Sequence, residues 1–388
     1  MYEEFFPNNS DVIVTIDGSV FREWTSLEIT RSMDSLVGTA SLNIAVGDNN
    51  RENTFDIVDG ASFQVSVISE DSFKTDPLAP FDGTAQFSQK AEAPMMTGWV
   101  VGVSDNITEG GWTMSVAAAD KTIDLTQCSV DVPRYEWRNA TLYKIAQDLC
   151  KPFDIFVTGT AAQHSQPFKE FVARPDETPA AILSRAAKAR GVMLLSDQFG
   201  NLLLENAQWD QSPGVHFTYG VNLYSVSRTR SDNYKFSDYT CYGQVSGKGQ
   251  KWGKGTTTLN AKAKDLNVKR YRPKVFQIES NVSKAVVQDR VNWEAQVRNG
   301  QSASFTVSVP GWFTKLERQA SVYRPFQINS IATLAVDKWK SLDNYMISEV
   351  TFSDTNSGRK SSVVLVDRRT YKPSPGSVVD IKKKKKKK

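Results

Sequence analysis

Short alternating apolar and polar stretches, punctuated by turn residues, run from Asp11 to about Leu125 and predict an all-β segment. Val12-Ile13-Val14-Thr15-Ile16 meets Asp17-Gly18, a pair suited to the two positive-φ positions of a type I′ hairpin turn, and Val20-Phe21 resumes the strand. Strands are also predicted over 62–68, 96–104 and 113–118, with the proline-bearing polar stretch 70–94 as a long loop. The period then changes. Leu142, Ile145, Ala146 and Leu149 form one helical stripe, and a second helix starts at Thr178-Pro179, continues through Ile182, Leu183, Ala186 and Ala187, and stops at Gly191. Val192-Met193-Leu194-Leu195 and Leu202-Leu203-Leu204, on either side of Asp197-Gln198-Phe199-Gly200-Asn201, predict a hairpin.

β-character returns from Gly214. It is interrupted by Gly247-Lys248-Gly249-Gln250-Lys251-Trp252-Gly253-Lys254-Gly255 and by a helix with Ser283 as its cap, a stripe of Val286, Val287, Arg290, Val291 and Val297, and Gly300 as its stop. Later strands are predicted over 304–309, 327–331, 345–353 and 361–366. One strand pair is predicted to occur twice: 26–32 leads into 39–45, and 226–231 leads into 239–243. The expected fold class is mainly β with α+β modules: two β-barrels plus inserted α+β domains. The division reads 8–126 as a first barrel, 127–212 as an α+β module, 213–245 with 325–372 as a second barrel, 246–324 as an inserted module with a helix, and 373–388 as a disordered lysine-rich tail.

Composition changes this picture at few points. With 40% hydrophobic and 23% charged residues, the 388-residue chain has the make-up of a globular protein and not of a disordered one. The formal charge of +4 misleads, because seven lysines, Lys382 to Lys388, close the chain, and without them the +4 becomes −3. A mildly acidic body argues against a basic nucleic-acid-binding face. Cys128, Cys150 and Cys241 are odd in number and show no CxxC spacing, so they read as reduced thiols. The opening Met1-Tyr2-Glu3-Glu4-Phe5-Phe6 lacks the basic region and apolar core of a secretory signal. No run of about 18 apolar residues occurs, so no membrane span is expected.

Sites of chemistry are sparse. The glycine-rich loop approaches a P-loop, but Gly253-Lys254 is followed by Gly255 and not by the hydroxyl residue that holds magnesium. His164 and His216 are the two histidines, and neither has Cys, Asp or Glu at ligand spacing. Asp56 and Asp59 imitate a glycosidase pair, which surface loops also supply. Lys269-Arg270-Tyr271-Arg272-Pro273-Lys274 could stack single-stranded nucleic acid, or its charges could guard an edge strand. No catalytic, cofactor-binding or metal-binding residue is assigned, and no cofactor or enzymatic activity is expected.

Ordered features along residues 10–372 carry a resemblance. They are Val14-Thr15-Ile16-Asp17-Gly18 with Trp24-Thr25-Ser26-Leu27-Glu28-Ile29-Thr30-Arg31-Ser32-Met33-Asp34; the stretch 141–153; Arg174-Pro175-Asp176-Glu177-Thr178-Pro179 with Gly191 and Asp197-Gln198-Phe199-Gly200-Asn201-Leu202; Arg290-Val291-Asn292-Trp293-Glu294 with Val307-Ser308-Val309-Pro310-Gly311-Trp312; and Tyr345-Met346-Ile347-Ser348-Glu349-Val350-Thr351-Phe352. In this order the chain resembles the baseplate hub proteins of Mu-like contractile-tailed phages and, more distantly, the hubs of T-even phages and type VI secretion spikes. The resemblance implies a homotrimer in the virion baseplate, assembled in the bacterial host cytoplasm. Two tube-like barrels per chain would give six units around a channel, docking on the tail tube protein on one side and the central spike protein on the other. Other baseplate proteins would be further partners, and DNA would pass the channel without specific binding. A glycan-binding host-recognition protein and a hub with cell-wall-degrading activity remain as alternatives.

Overall fold

The computed structural model describes residues 10–21, 24–46, 57–69, 91–109, 111–161, 166–244, 258–281, 284–315, 323–339 and 341–374. The first seven strands are β1 (Ser10–Ile16), β2 (Ser19–Phe21), β3 (Ser26–Ser32), β4 (Thr39–Val46), β5 (Ser62–Ser69), β6 (Ala91–Thr108) and β7 (Gly111–Asp120). Asp17 and Gly18 take φ of 46° and 78°, as the predicted β1–β2 turn demands. Alternation sets the core face: Val12, Val14 and Ile16 on β1, Leu27 and Ile29 on β3, Leu42 and Ile44 on β4, and Phe63, Val65 and Val67 on β5 all point inward. Each such aliphatic side chain contributes about 1.5–3 kcal/mol by leaving water.

An α+β module follows: α1 (Ile123–Gln127), β8 (Glu136–Thr141), α2 (Leu142–Cys150), β9 (Val157–Thr158), β10 (Pro167–Val172), α3 (Pro179–Arg190), β11 (Met193–Ser196) and β12 (Leu202–Glu205). Both predicted helices and the β11–β12 hairpin are present. Thr178 caps α3 by accepting the Ala181 N–H, Pro179 occupies the first turn, and Gly191 ends it at φ 67°. α2 starts on Thr141, whose hydroxyl accepts from the Lys144 N–H, and Asn139 at φ 50° lies within β8 just before it. Leu142, Ile145, Ala146 and Leu149 pack with Ile182, Leu183, Ala186 and Ala187 in a core of the module's own.

The chain then continues through β13 (Val215–Thr218) and β14 (Ser225–Arg230), a small sheet of β15 (Asp238–Gln244), β16 (Thr258–Lys264) and β17 (Pro273–Asn281), and the helix α4 (Lys284–Gly300). It closes with β18 (Ala303–Pro310), β19 (Phe313–Lys315), β20 (Tyr323–Pro325), β21 (Ile331–Val336), β22 (Ser341–Thr355) and β23 (Gly358–Asp367). Val287 and Val291 of α4 pack on Tyr239, Cys241 and Ala261 of the small sheet. Ser283, the predicted cap, lies outside the described residues.

Three expectations need correction. The predicted second copy of the strand pair does not form: β15 pairs with β16 and β17, and the partner of β14 is β18. β15 therefore belongs with the inserted small sheet and β18 with the large one, which moves the insertion from the predicted 246–324 to the stretch between β14 and β18. The strand predicted over 327–331 begins only at Ile331, because Asn329 takes a left-handed φ of 58°. The β-units of the two halves are continuous with each other. They form one 13-stranded sheet of order β14-β18-β23-β22-β3-β4-β7-β6-β5-β1-β2, with β21 beside β22 and β13 beside β21.

Candidate assembly interface

The residues singled out in the sequence do not converge. His216 lies on β13 with its side chain exposed, opposite Thr333 of β21. His164, Asp56, the 247–255 loop and Lys382 to Lys388 fall outside the described residues, and Asp59 sits exposed in a turn. Cys128 is exposed, whereas burial pushes the Cys150 thiol up to about 12 and raises that of Cys241. Among the described residues no three His, Cys, Asp or Glu gather as metal ligands, and no helix is long and apolar enough to cross a membrane. The basic run has structural partners: Arg270 and Arg272 both pair with Asp232, and the Arg272 and Lys274 cations lie over the Phe236 ring at 5.3 and 5.6 Å.

What the fold builds is a duplication. The neighbour order β1-β5-β6-β7-β4-β3 is repeated as β13-β21-β22-β23-β18-β14. The match extends to register. Thr108 faces Gly111 at the tip of one long hairpin and Thr355 faces Gly358 at the other, and each threonine hydroxyl donates to the glycine carbonyl, at 3.2 and 3.4 Å. Each long strand carries a bulge at the same distance from that tip, at Val101 in β6 and at Ser348 in β22. Each hairpin ends on an aspartate whose carboxylate accepts the N–H two residues on: Asp120 from Thr122 at 3.0 Å, Asp367 from Arg369 at 2.9 Å. The entries to β3 and β14 match as well, since Thr25 N–H donates to Asn43 O and Tyr224 N–H to Ser308 O, both at 2.8 Å. The outermost strand differs: β1 runs antiparallel to β5, but β13 runs parallel to β21.

β22 joins the two units. Up to Met346 one edge of β22 pairs with β21. Past the bulge it pairs antiparallel with β3, from Glu349 opposite Ser32 to Thr355 opposite Ser26. Met33 N–H donates to Ser348 O at 2.7 Å, and the Thr30 and Thr351 hydroxyls meet at 3.1 Å although 321 residues separate them in the chain. A bulge bends and twists its strand, which lets a single strand leave one neighbour and take another.

The chain is similar to known tail proteins along its length. A family model described as "Baseplate hub protein gp44-like, second domain" matches residues 122–206, and one described as "Tail protein NMB1110-like, third domain" matches 235–292. The baseplate hub protein gp44 of Escherichia phage Mu is 25% identical over 371 residues, spanning 94% of this chain and 89% of that protein. The 43 kDa tail protein of prophage MuSo2 from Shewanella oneidensis shares the structure at a TM-score of 0.73 and 26% identity, over 93% of this chain and 99% of that one. Over nearly its whole length the chain is similar to baseplate hub and tail proteins of Mu-like phages. The resemblance read from the sequence thus holds for the hub proteins of Mu-like phages. At greater distance, the c3393 protein of E. coli, a type VI secretion component with similarity to the T4 tail proteins gp27 and gp5, shares the fold at 8% identity and a TM-score of 0.51, over 91% of this chain and 76% of that one.

Sequence reasoning paired the 26–32 stretch with its true counterpart near 226–231 but missed that the long hairpins β6–β7 and β22–β23 also repeat each other. A local signal was present in the Thr-x-x-Gly turns at Thr108 and Thr355. The other signal was the composition of β14, Ser-Val-Ser-Arg-Thr-Arg, which has Val226 as its single apolar residue where a covered strand alternates.

Proposed function

We propose that the chain is the ring-forming baseplate hub: three copies enclose a channel, with the hexameric tail tube docked on one face and the central spike on the other. The observation that carries this is the duplication within one chain. Two units of equal strand order and hairpin register sit side by side in one sheet. Three chains then present six comparable units, which suits a sixfold tube, while the differences between the two units leave threefold symmetry for a threefold partner. The α+β module and the small sheet, carried between strands of the large sheet, belong on the outside in this arrangement. The action is mechanical and the chain is not an enzyme; its place is the virion baseplate, and DNA passes the channel without specific binding. Relatives named as a baseplate hub protein and a tail protein support this reading.

The test is solution mass by light scattering after size exclusion. Three times the 43.2 kDa of one chain is expected. A single-chain mass at every concentration, with no binding to tube or spike protein, overturns the proposal.

A further inference from the structure

β6 repeats β22 up to the point where β22 acquires β3. β5 accompanies β6 as far as Trp99, and Val100 still exchanges backbone hydrogen bonds with Gly60 and Ala61. In the same way β21 accompanies β22 to Met346, and Ile347 bonds to Asn329 and Ser330. Past its bulge β22 pairs with β3, but the matching edge of β6, residues 101–108, has no strand beside it among the described residues. The counterpart of β3 is β14, and β14 has a neighbour on one side alone, β18, among the described residues.

Burial follows this difference. In β22 residues 349–355 are buried or half-buried, whereas in β6 every residue from Ser104 to Thr108 is exposed. β3 buries Leu27 and Ile29 completely; β14 is exposed throughout except for a half-buried Val226. Large apolar side chains stand at both bare edges, with Ile107 77% exposed and Tyr224, just before β14, 58% exposed. Long bare edges with apolar side chains are templates for strand addition.

We propose that the 101–108 edge of β6 pairs antiparallel with β14 of a second copy of this chain, in the register that β22 and β3 use within one chain. This rests on the ring reading above and names the surface that closes the ring. Transferring the register residue by residue sets Gly102 opposite Ser231, Ser104 opposite Thr229, Asp105 opposite Arg228, Ile107 opposite Val226 and Thr108 opposite Ser225, the second residue of each pair belonging to the second copy. Ser104 and Thr229 then repeat the Thr351–Thr30 hydroxyl pair. Ile107 and Val226 form an apolar cross-strand pair.

Asp105 and Arg228 decide the partner. Their counterparts within the chain are Phe352 and Ile29, an apolar pair that is fully buried. Both positions carry charged residues where the other unit has an apolar pair, and the two charges are opposite. The Asp105 carboxylate is already oriented by Trp112 Nε1 at 3.3 Å, and the Arg228 guanidinium by the Trp339 ring at 4.6 Å. Opposite charges placed across two strands favour this pairing and oppose β6–β6 or β14–β14 pairing, where like charges would meet. The contact is head-to-tail, so each added copy presents the next free edge until the ring closes.

Disulfide trapping tests the register. Met33 and Ser348 form a hydrogen-bonded pair, so by alternation Thr30–Thr351, and hence Ser104–Thr229, is a close non-hydrogen-bonded pair within disulfide reach. In a Cys128→Ser background, Ser104→Cys combined with Thr229→Cys is expected to oxidise to covalently linked copies, while either single cysteine substitution yields none of that ladder. As a second measurement, Asp105→Arg or Arg228→Asp alone should raise the dissociation constant of the ring about tenfold, and the two together should restore it. A ring of normal mass that neither cross-links nor responds to the charge reversals overturns this pairing and leaves the ring reading intact. A wild-type chain that keeps single-chain mass at every concentration and binds neither tube nor spike protein overturns both.

Discussion

Asp120 shows how much one side chain can organise. It is fully buried and accepts from Gly38 N–H at 2.7 Å, Ser196 Oγ at 2.6 Å and the Thr122 N–H and hydroxyl, so the β4 entry, α1 and β11 meet at one carboxylate. Burial raises its pKa above the ordinary carboxylate value, against the hydrogen bonds from Ser196, Thr122 and Gly38 and the attraction of Arg31. Asp120→Asn turns an amide NH2 toward groups that are themselves donors, and should cost about 2–4 kcal/mol in urea unfolding at pH 7. The pH dependence has a defined sign. A raised folded-state pKa means that the contribution is fully present below the unfolded value near 4 and is lost as pH rises through the folded value. The stability gap between wild type and Asp120→Asn should therefore widen as pH is lowered from 7 toward about 4.

At the scale of elements, the two long hairpins differ in what protects their backbone. The N–H groups of Val350, Phe352 and Asp354 point at β3 within the chain, and those of Val103, Asp105 and Ile107 occupy the same positions at a bare edge. Hydrogen exchange on the isolated chain should show slow exchange for the first set and fast exchange for the second. On the assembled ring both sets should be slow. The elements themselves were largely legible in the sequence, because their signals are local: Asp17-Gly18 for the first turn, Thr178, Pro179 and Gly191 for α3, and alternation for β1, β5 and β7. Pairing was less legible. β14 is followed in sequence by β15, a good strand nearby, and nothing local announces that its partner β18 lies beyond an inserted sheet and helix. The bare edge of β6 was hidden for a related reason, since which strands lie beside it is set by pairings distant in the chain.

For the whole molecule, the insertion between β14 and β18 leaves and returns at adjacent points. Arg230 is paired with Ala303, and Ser231 N–H donates to Ser302 O at 2.8 Å. Replacing residues 232–301 with a short glycine-containing turn should therefore leave the large sheet folded. The variant should keep its oligomeric state by light scattering, and lose about 1–3 kcal/mol with the contacts between α4 and the chain end, such as Trp293 Nε1 to Lys372 O at 2.7 Å.

The seam between β22 and β3 also has a mechanical direction. It consists of seven register pairs in line, from Glu349–Ser32 to Thr355–Ser26. A pull across the strands opens these pairs one after another, like a zip. A pull along the strand axis loads all seven in shear at once, and the seam yields only when they fail together. How hard it is to divide this chain into its two halves therefore depends on the direction in which it is pulled.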